Sequence, residues 1–445
     1  MDLASADGKL PSPAAIATHP RLYKRIAKSL HDDWCALVRV AGRPYLEASA
    51  KHDGNAMLRA LVTLTSLPAA ALVKLRGGAT NHRGNRAVAA QMREATNLLR
   101  KEQLASYPIF DQGDEPPIDD ATVRRALEQV RTGHIGRAAR TLCSQPPLDQ
   151  EEQLDELRKL HPQGPAPEEI PPLPQTATIG LHVVDADQDL ANFIRRNVAN
   201  GSAPGPSGWT GELIACTTAD SECLQLWATL IRDIRAGRLP QEAKPYLLAS
   251  RLFAIAKPGG KGVRPIAAGE SFFKMAALNA LQANVAPVRE HLDPLQLGIA
   301  EPNGCERIVH TMNSLLLDGW TVVEGDWSSA FNQVDRAAAL QSIFKLDKLK
   351  DLHAICSWAY SDPSPLFVMQ NGRIIETLTS SQGVRQGDPL GGLLFATTIQ
   401  PKLVKISKQF PTSVIRAFFD NVTIADRNPD IACRALKMLE QEGLT

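Results

Sequence analysis

Val414-Ile415-Arg416-Ala417-Phe418-Phe419-Asp420-Asn421-Val422-Thr423-Ile424 is the stretch on which the reading of the fold turns. Two apolar runs, Val414 to Phe419 and Val422 to Ile424, flank a polar Asp-Asn pair, which predicts a hairpin with Asp420 and Asn421 at its tip. A second aspartate, Asp326, lies 94 residues earlier, after a short apolar strand predicted from Trp320 to Glu324. Taken alone, a strand-end aspartate is most often a cap or turn residue. The interval between the two holds a second predicted hairpin, Leu366 to Met369 and Arg373 to Leu378, around Asn371-Gly372, the strongest two-residue turn signal. It also holds a glycine-broken loop, Ser381-Gln382-Gly383-Val384-Arg385-Gln386-Gly387-Asp388-Pro389, and then a helix over Pro389 to Gln409. That helix is marked by Leu390, Leu393, Leu394, Leu403 and Ile406 at helical spacing.

Further upstream, Arg251 to Ala256 and Val263 to Ala267 read as strands around the Gly259-Gly260-Lys261-Gly262 turn. Residues 20–145 read as helices: Met57, Leu61, Leu64 and Leu67 recur at helical spacing until Pro68, which is expected to end the run. Another helix or helix pair is expected from Ala121 to Arg140. Prolines then cluster between Gln145 and Gln175, marking an exposed connector. The expected organisation is a helical region over 1–145, an acidic Pro-rich linker over 146–178, and an α+β unit over 179–445.

Composition narrows the class without naming it. In 445 residues, hydrophobic residues make up 44% and charged residues 22%, with a net charge of +1. Charge is uneven, however: residues 1–145 carry 21 Lys/Arg against 14 Asp/Glu, a balance suited to phosphate contact or to a solvated helical surface. The seven cysteines are scattered, with no Cys-x-x-Cys pair and no zinc-ligand spacing, as expected of reduced intracellular thiols. The most apolar stretch, Ala56 to Leu75, is broken by Arg59, Pro68 and Lys74 and predicts no membrane span.

Three segments together, Val323 to Asn332, Ser381 to Leu390 and Phe418 to Asn421, resemble the palm of a reverse transcriptase of the non-LTR (LINE-type) retrotransposon family. Ala203-Pro204-Gly205-Pro206-Ser207-Gly208-Trp209, Arg264-Pro265-Ile266, Ser271 to Lys274, and Gln296-Leu297-Gly298 are similar to further motifs of that family. His134 to Arg140 and Leu160-His161-Pro162 resemble the region that precedes its polymerase. The resemblance implies a right-hand polymerase with fingers and palm, preceded by an all-helical N-terminal region. It implies RNA-directed DNA polymerisation with an RNA template, a DNA primer, deoxynucleoside triphosphates and two Mg²⁺ (or Mn²⁺) ions. It also implies a nuclear location.

Nucleotidyl transfer of this kind uses two divalent cations held by hard oxygen ligands. The resemblance makes Asp326 and Asp420 the catalytic, metal-binding carboxylates. Lys257 and Arg264, with Lys261, would bind the triphosphate as cations on a hairpin. Phe331 would exclude a 2′-hydroxyl, where an RNA-making polymerase is expected to carry a small residue. Gln382 and Gly383 would meet the incoming nucleotide. Trp209, Arg385, Phe418 and Phe419 would meet template and primer, although packing is an alternative role for Trp209. Asp388 reads as a helix cap.

Asn421 departs from the family's pattern, which has a second aspartate there. An amide oxygen can ligate a metal, but it brings no charge. Two readings stay open: reduced activity with Asp326 and Asp420 alone, or a catalytically dead nucleic-acid-binding remnant. The 24 residues after Asn421 are too few for the thumb that normally follows, so a truncated thumb is expected.

Overall fold

The computed structural model describes residues 10–18, 22–74, 82–101, 127, 150–177, 184–199, 201–257, 262–327, 329–370 and 373–443. The His134 to Arg140 motif, Lys261 and the Asn371-Gly372 turn lie outside the described residues. So does the helix expected from Ala121 to Arg140, apart from Leu127. The longer helices include α1 His31–Lys51, α2 Gly54–Ala71, α3 His82–Arg100, α4 Gln150–Lys159, α5 Ser221–Arg235 and α6 Ser271–Ala283. They continue with α7 Arg336–Phe344, α8 Lys350–Tyr360, α9 Pro389–Gln409 and α10 Pro429–Glu442. The strands are β1 Ser250–Ala256, β2 Val263–Gly269, β3 Thr321–Asp326, β4 Ser364–Gln370, β5 Arg373–Ser380, β6 Val414–Phe418 and β7 Asn421–Asp426. The chain is thus α+β with a helical N-terminal region, as expected.

The strands form two sheets. One has the order β2-β1-β4-β5, with β1 and β4 parallel and the other pairs antiparallel. The other has the order β3-β7-β6 and is antiparallel throughout. Gln296 extends it by a parallel bridge to Ala417 of β6. The three antiparallel pairs expected, β1–β2, β4–β5 and β6–β7, are all present.

The N-terminal helices share their core with the rest of the chain. One buried cluster runs from Ile16 of the first region to Leu439 of α10. Its centre is a group of rings contributed by distant segments: Trp34 of α1, Trp209, Trp227 of α5 and Phe272 of α6, with centroids 5.1–5.7 Å apart. Each large ring buried here contributes several kcal/mol through apolar area and edge-to-face contact.

Two local expectations change. The helix expected to stop at Pro68 continues to Ala71. Proline has no N–H to give the carbonyl of Leu64, four residues back, and the indole Nε1 of Trp209 donates to that carbonyl at 2.7 Å. The Pro-rich segment 146–178 is more than an exposed connector, since it contains α4. Leu157 of α4 packs among Leu252, Val263, Leu366 and Val368 on the four-stranded sheet. Arg158 of α4 also forks onto Glu376 of β5 at 3.0 and 2.9 Å. No helix among the described residues is long and apolar enough to cross a membrane.

Candidate active site

The β6–β7 hairpin closes at Phe418 paired with Asn421, leaving Phe419 and Asp420 as a two-residue turn. Such turns need positive φ, which glycine or asparagine ordinarily supplies. Phe419 supplies it here, at φ 53°, a left-handed conformation that costs a bulky residue about 1–2 kcal/mol. On the neighbouring strand Asp326 ends β3 and pairs directly with Asn421. The pleat therefore gathers Asp326, Asp420 and Asn421 at one edge of the sheet.

The electrostatics match that placement. The Asp420 carboxyl is raised above the ordinary aspartate value, chiefly because it is partly buried and secondarily by the charge of Asp326; Arg264 opposes the rise. Two carboxylates that repel each other at one spot, beside a neutral amide oxygen, form a donor set suited to a hard divalent cation. Arg264 belongs to β2 of the other sheet, and its charge reaches Asp420 from there. Lys257 follows β1, its N–H bonded to Gly262 O at 3.1 Å.

Two exposed apolar residues accompany Arg264. Ile255 pairs with Arg264 across the β1–β2 ladder and Phe253 pairs with Ile266, which puts all four side chains on one face. Phe253 is 37% and Ile255 52% exposed. Leu252, Phe253, Ala254 and Ile255 are all apolar, so the sequence alone gives no sign of which two are exposed.

Beneath the turn lies an aromatic stack. Phe331 stacks on Phe395 at 4.7 Å and meets Phe419 edge-on at 5.6 Å. The glycine loop closes on the same residue: Val384 N donates to Phe331 O at 2.7 Å. Gly383 has φ 66°, and a Cβ there would lie 2.4 Å from Phe331 O, so this approach requires glycine. The Gln382 amide donates to Gln333 O at 3.1 Å, so that side chain ties the loop to the Phe331 turn.

Arg336 anchors the loop from below. Its guanidinium is buried and donates to the carbonyls of Ser380, Gln382 and Gly383 and to Ser380 Oγ at 3.0–3.3 Å. Burial and then the nearby charge of Arg385 lower it to about 10. From the other side, Gly164 of the Pro-rich segment donates its N–H to Ser381 Oγ at 3.0 Å. Neither contact was legible beforehand, because an arginine at the start of a helix reads as a solvated charge.

Two expected template residues sit elsewhere. Trp209 is fully buried in the ring cluster and has no face open to a base. Arg385 is also buried: it pairs with Asp388 at 2.8 Å, bonds Ser364 Oγ at 2.9 Å and lies 4.6 Å over the Tyr360 ring. Both are corrected from template contacts to packing and loop-holding roles, since a desolvated side chain already engaged cannot also meet nucleic acid. Phe418 and Phe419 remain half-buried beside the turn. Asp388 caps α9 by accepting from Leu390 N at 2.9 Å and also receives Tyr360 Oη at 2.8 Å.

Among the described residues a second donor group, Cys35, Asp220 and Cys223, lies within 4.8 Å. Its carboxylate is already engaged by Arg39 and by Cys223 N, under the positive end of α5. That positive surrounding disfavours a cation.

Residues 255–444 match the family described as reverse transcriptase (RNA-dependent DNA polymerase). The chain is 28% identical over 254 residues to the retrotransposable element SLACS 132 kDa protein of Trypanosoma brucei gambiense, covering 57% of this chain and 21% of that protein. It thus spans about a fifth of that relative's length. Among solved structures it is similar to apo telomerase from Candida tropicalis truncated from its C-terminal domain, with a TM-score of 0.33 and 15% identity over 44% of this chain and 46% of that one. Apo telomerase from the same organism gives 0.32 and 16%, over 44% and 40%. These structural likenesses are too distant to bear on the site. By these comparisons residues 255–444 are similar to reverse transcriptase domains and the chain is similar to a retrotransposable element protein, the resemblance that its motifs carry.

Proposed function

We propose that the chain performs RNA-directed DNA polymerisation at the cleft where Asp326, Asp420 and Arg264 converge. The observation that carries this reading is the β3–β7 pairing of Asp326 with Asn421, which brings Asp326 beside the Asp420 turn across 94 residues of sequence. In this reading residues 179–445 are the polymerase unit, with the four-stranded sheet as fingers and the three-stranded sheet as palm. Residues 146–178 join it to the helical region 1–145.

Asp326 and Asp420 would hold two divalent ions, Mg²⁺ or Mn²⁺, with Asn421 offering at most a neutral oxygen. When bound, such ions neutralise the triphosphate and activate the primer 3′-oxygen. The chain's own residues do the rest. Arg264 forks onto phosphate oxygens, and Lys257 adds a point charge from the same hairpin. Phe331, held flat by Phe395, sets a wall against a 2′-hydroxyl, and Gly383 lets the loop backbone press against that wall. Phe253 and Ile255, exposed on the Arg264 face, offer an apolar surface to an unpaired template base.

The missing carboxylate at Asn421 impairs this chemistry, because a neutral amide leaves more of the cations' charge uncompensated. Primer extension on an RNA template with Mg²⁺ or Mn²⁺ tests the reading. The unaltered chain should extend weakly, Asn421→Asp at least about 10-fold faster, and Asp326→Ala not at all. If Asn421→Asp binds RNA and primer but extends nothing, the chain is a nucleic-acid-binding remnant.

A further inference from the structure

We propose that Gln296 is the positioning residue of the Asp420 turn: its side-chain amide holds Phe419 left-handed and thereby aims Asp420 toward Asp326. The inference rests on the reading of those two aspartates as cation ligands and adds what orients one of them.

Gln296 is 1% exposed, and two of its three side-chain hydrogen bonds go to this turn. Its Oε1 accepts from Phe419 N at 2.8 Å and from Gly298 N at 3.0 Å. Its Nε2 donates to Phe419 O at 3.2 Å. One amide therefore satisfies both backbone polar groups of a single residue, the one with φ 53° immediately before Asp420. A non-glycine residue persists in that conformation only where its surroundings over-determine it.

The segment carrying Gln296 is tied to the same hairpin. Leu297 N donates to Ala417 O at 2.8 Å and Ala417 N to Leu295 O at 2.7 Å, two residues ahead of Phe419. Close approach from both sides needs glycine. A Cβ on Gly298 would lie 2.8 Å from Phe419 N, and one on Gly392 of α9 would lie 3.0 Å from the Phe419 ring. Within this frame the side-chain chemistry is narrow. Leucine bonds neither group, and ionised glutamate accepts from the N–H but repels the carbonyl. Only an amide, or a protonated carboxyl, serves both.

The test uses Gln296→Leu and Gln296→Glu, each in the unaltered chain and in the chain carrying Asn421→Asp. Mn²⁺ binding is followed by electron paramagnetic resonance, with Asp420→Ala as reference, and single-nucleotide primer extension gives kcat and KM. Gln296→Leu should weaken Mn²⁺ binding about 10-fold. In the Asn421→Asp chain it should lower kcat roughly 100-fold, with KM for the nucleotide changed less than about 3-fold. Gln296→Glu should regain most Mn²⁺ affinity at pH 6, relative to the parent chain at that pH, and lose it at pH 8.5. Mn²⁺ affinity in Gln296→Leu equal to the parent's, or a lowered Tm with kcat unchanged, would overturn the proposal. If Asp420→Ala itself leaves Mn²⁺ binding intact, the cation reading of the turn fails, and Gln296 aims nothing. Intact Mn²⁺ behaviour with no extension in any chain would sink the polymerase reading alone and leave the Gln296 role supported.

Discussion

Asp326 and Asn421 are directly paired across the β3–β7 ladder, so the residue that departs from the family's pattern stands opposite the carboxylate that ends β3. Directly opposed residues on adjacent strands have Cβ atoms about 4.5–5.5 Å apart. Asn421→Asp therefore sets like charges face to face. Without divalent ions it should destabilise the chain by roughly 0.5–1 kcal/mol. Mn²⁺ at about ten times its Kd should return roughly 1.4 kcal/mol. Thermal melts of both chains with and without Mn²⁺ measure the crossover; parallel melts in all four conditions would mean the pair does not share a cation.

Phe331 can be tested without dismantling its stack. Phe331→Val keeps an apolar side chain against Phe395 but removes the wall. Its preference for deoxynucleotides over ribonucleotides should fall about 10- to 100-fold in the Asn421→Asp chain. Competitive incorporation reads the ratio directly. An unchanged ratio would show that the ring only packs.

Trp209 should behave as a keystone of the core. Trp209→Ala removes a fully buried ring and leaves Leu64 O without a donor, at a cost of roughly 3–5 kcal/mol in urea unfolding. RNA affinity, measured where both proteins remain folded, should not change. A loss of affinity without a loss of stability would return Trp209 to the template.

Glu270 makes stability depend on pH. It is buried and accepts from Ser207 N and Oγ, both at 2.6 Å; burial raises it to about 7 against an ordinary 4.5, with the Ser207 bonds and Arg251 opposing. The folded value lies above the unfolded one, so between those pH values the folded chain keeps a proton that the unfolded chain has released. Its contribution is therefore complete below about pH 4.5 and lost as pH rises through 7, roughly 3 kcal/mol in all. Glu270→Gln should flatten that part of the pH–stability curve. If both chains lose stability equally from pH 5 to 8, Glu270 is not the group responsible.

The readable parts of this chain were those whose signal is local. Alternation and turn residues foretold the β1–β2, β4–β5 and β6–β7 hairpins. Leu390 to Ile406 foretold α9, and Asp388 its cap. The match of residues 255–444 to the reverse transcriptase family bears out the resemblance those motifs carried. Less readable were residues whose role depends on what lies opposite. Pro68 looked like a helix end because its partner, Trp209, is 141 residues away. Arg385 reads as a template or primer contact because nothing in its neighbourhood of sequence announces Tyr360 and Ser364. Gln296 sat in a recognised motif, yet its amide has meaning only beside Phe419.

The sequence by itself determined the element types, the two aspartates and the departure at Asn421, since periodicity and residue chemistry are properties of short windows. Only the tertiary structure decided which charged and aromatic side chains stay accessible and which are spent in the core. It placed Arg264 near Asp420, sank Trp209 and Arg385, and clamped Phe419 with Gln296. The reason is physical: a side chain's availability depends on burial and on the bonds it already makes, and both are fixed by partners far away along the chain.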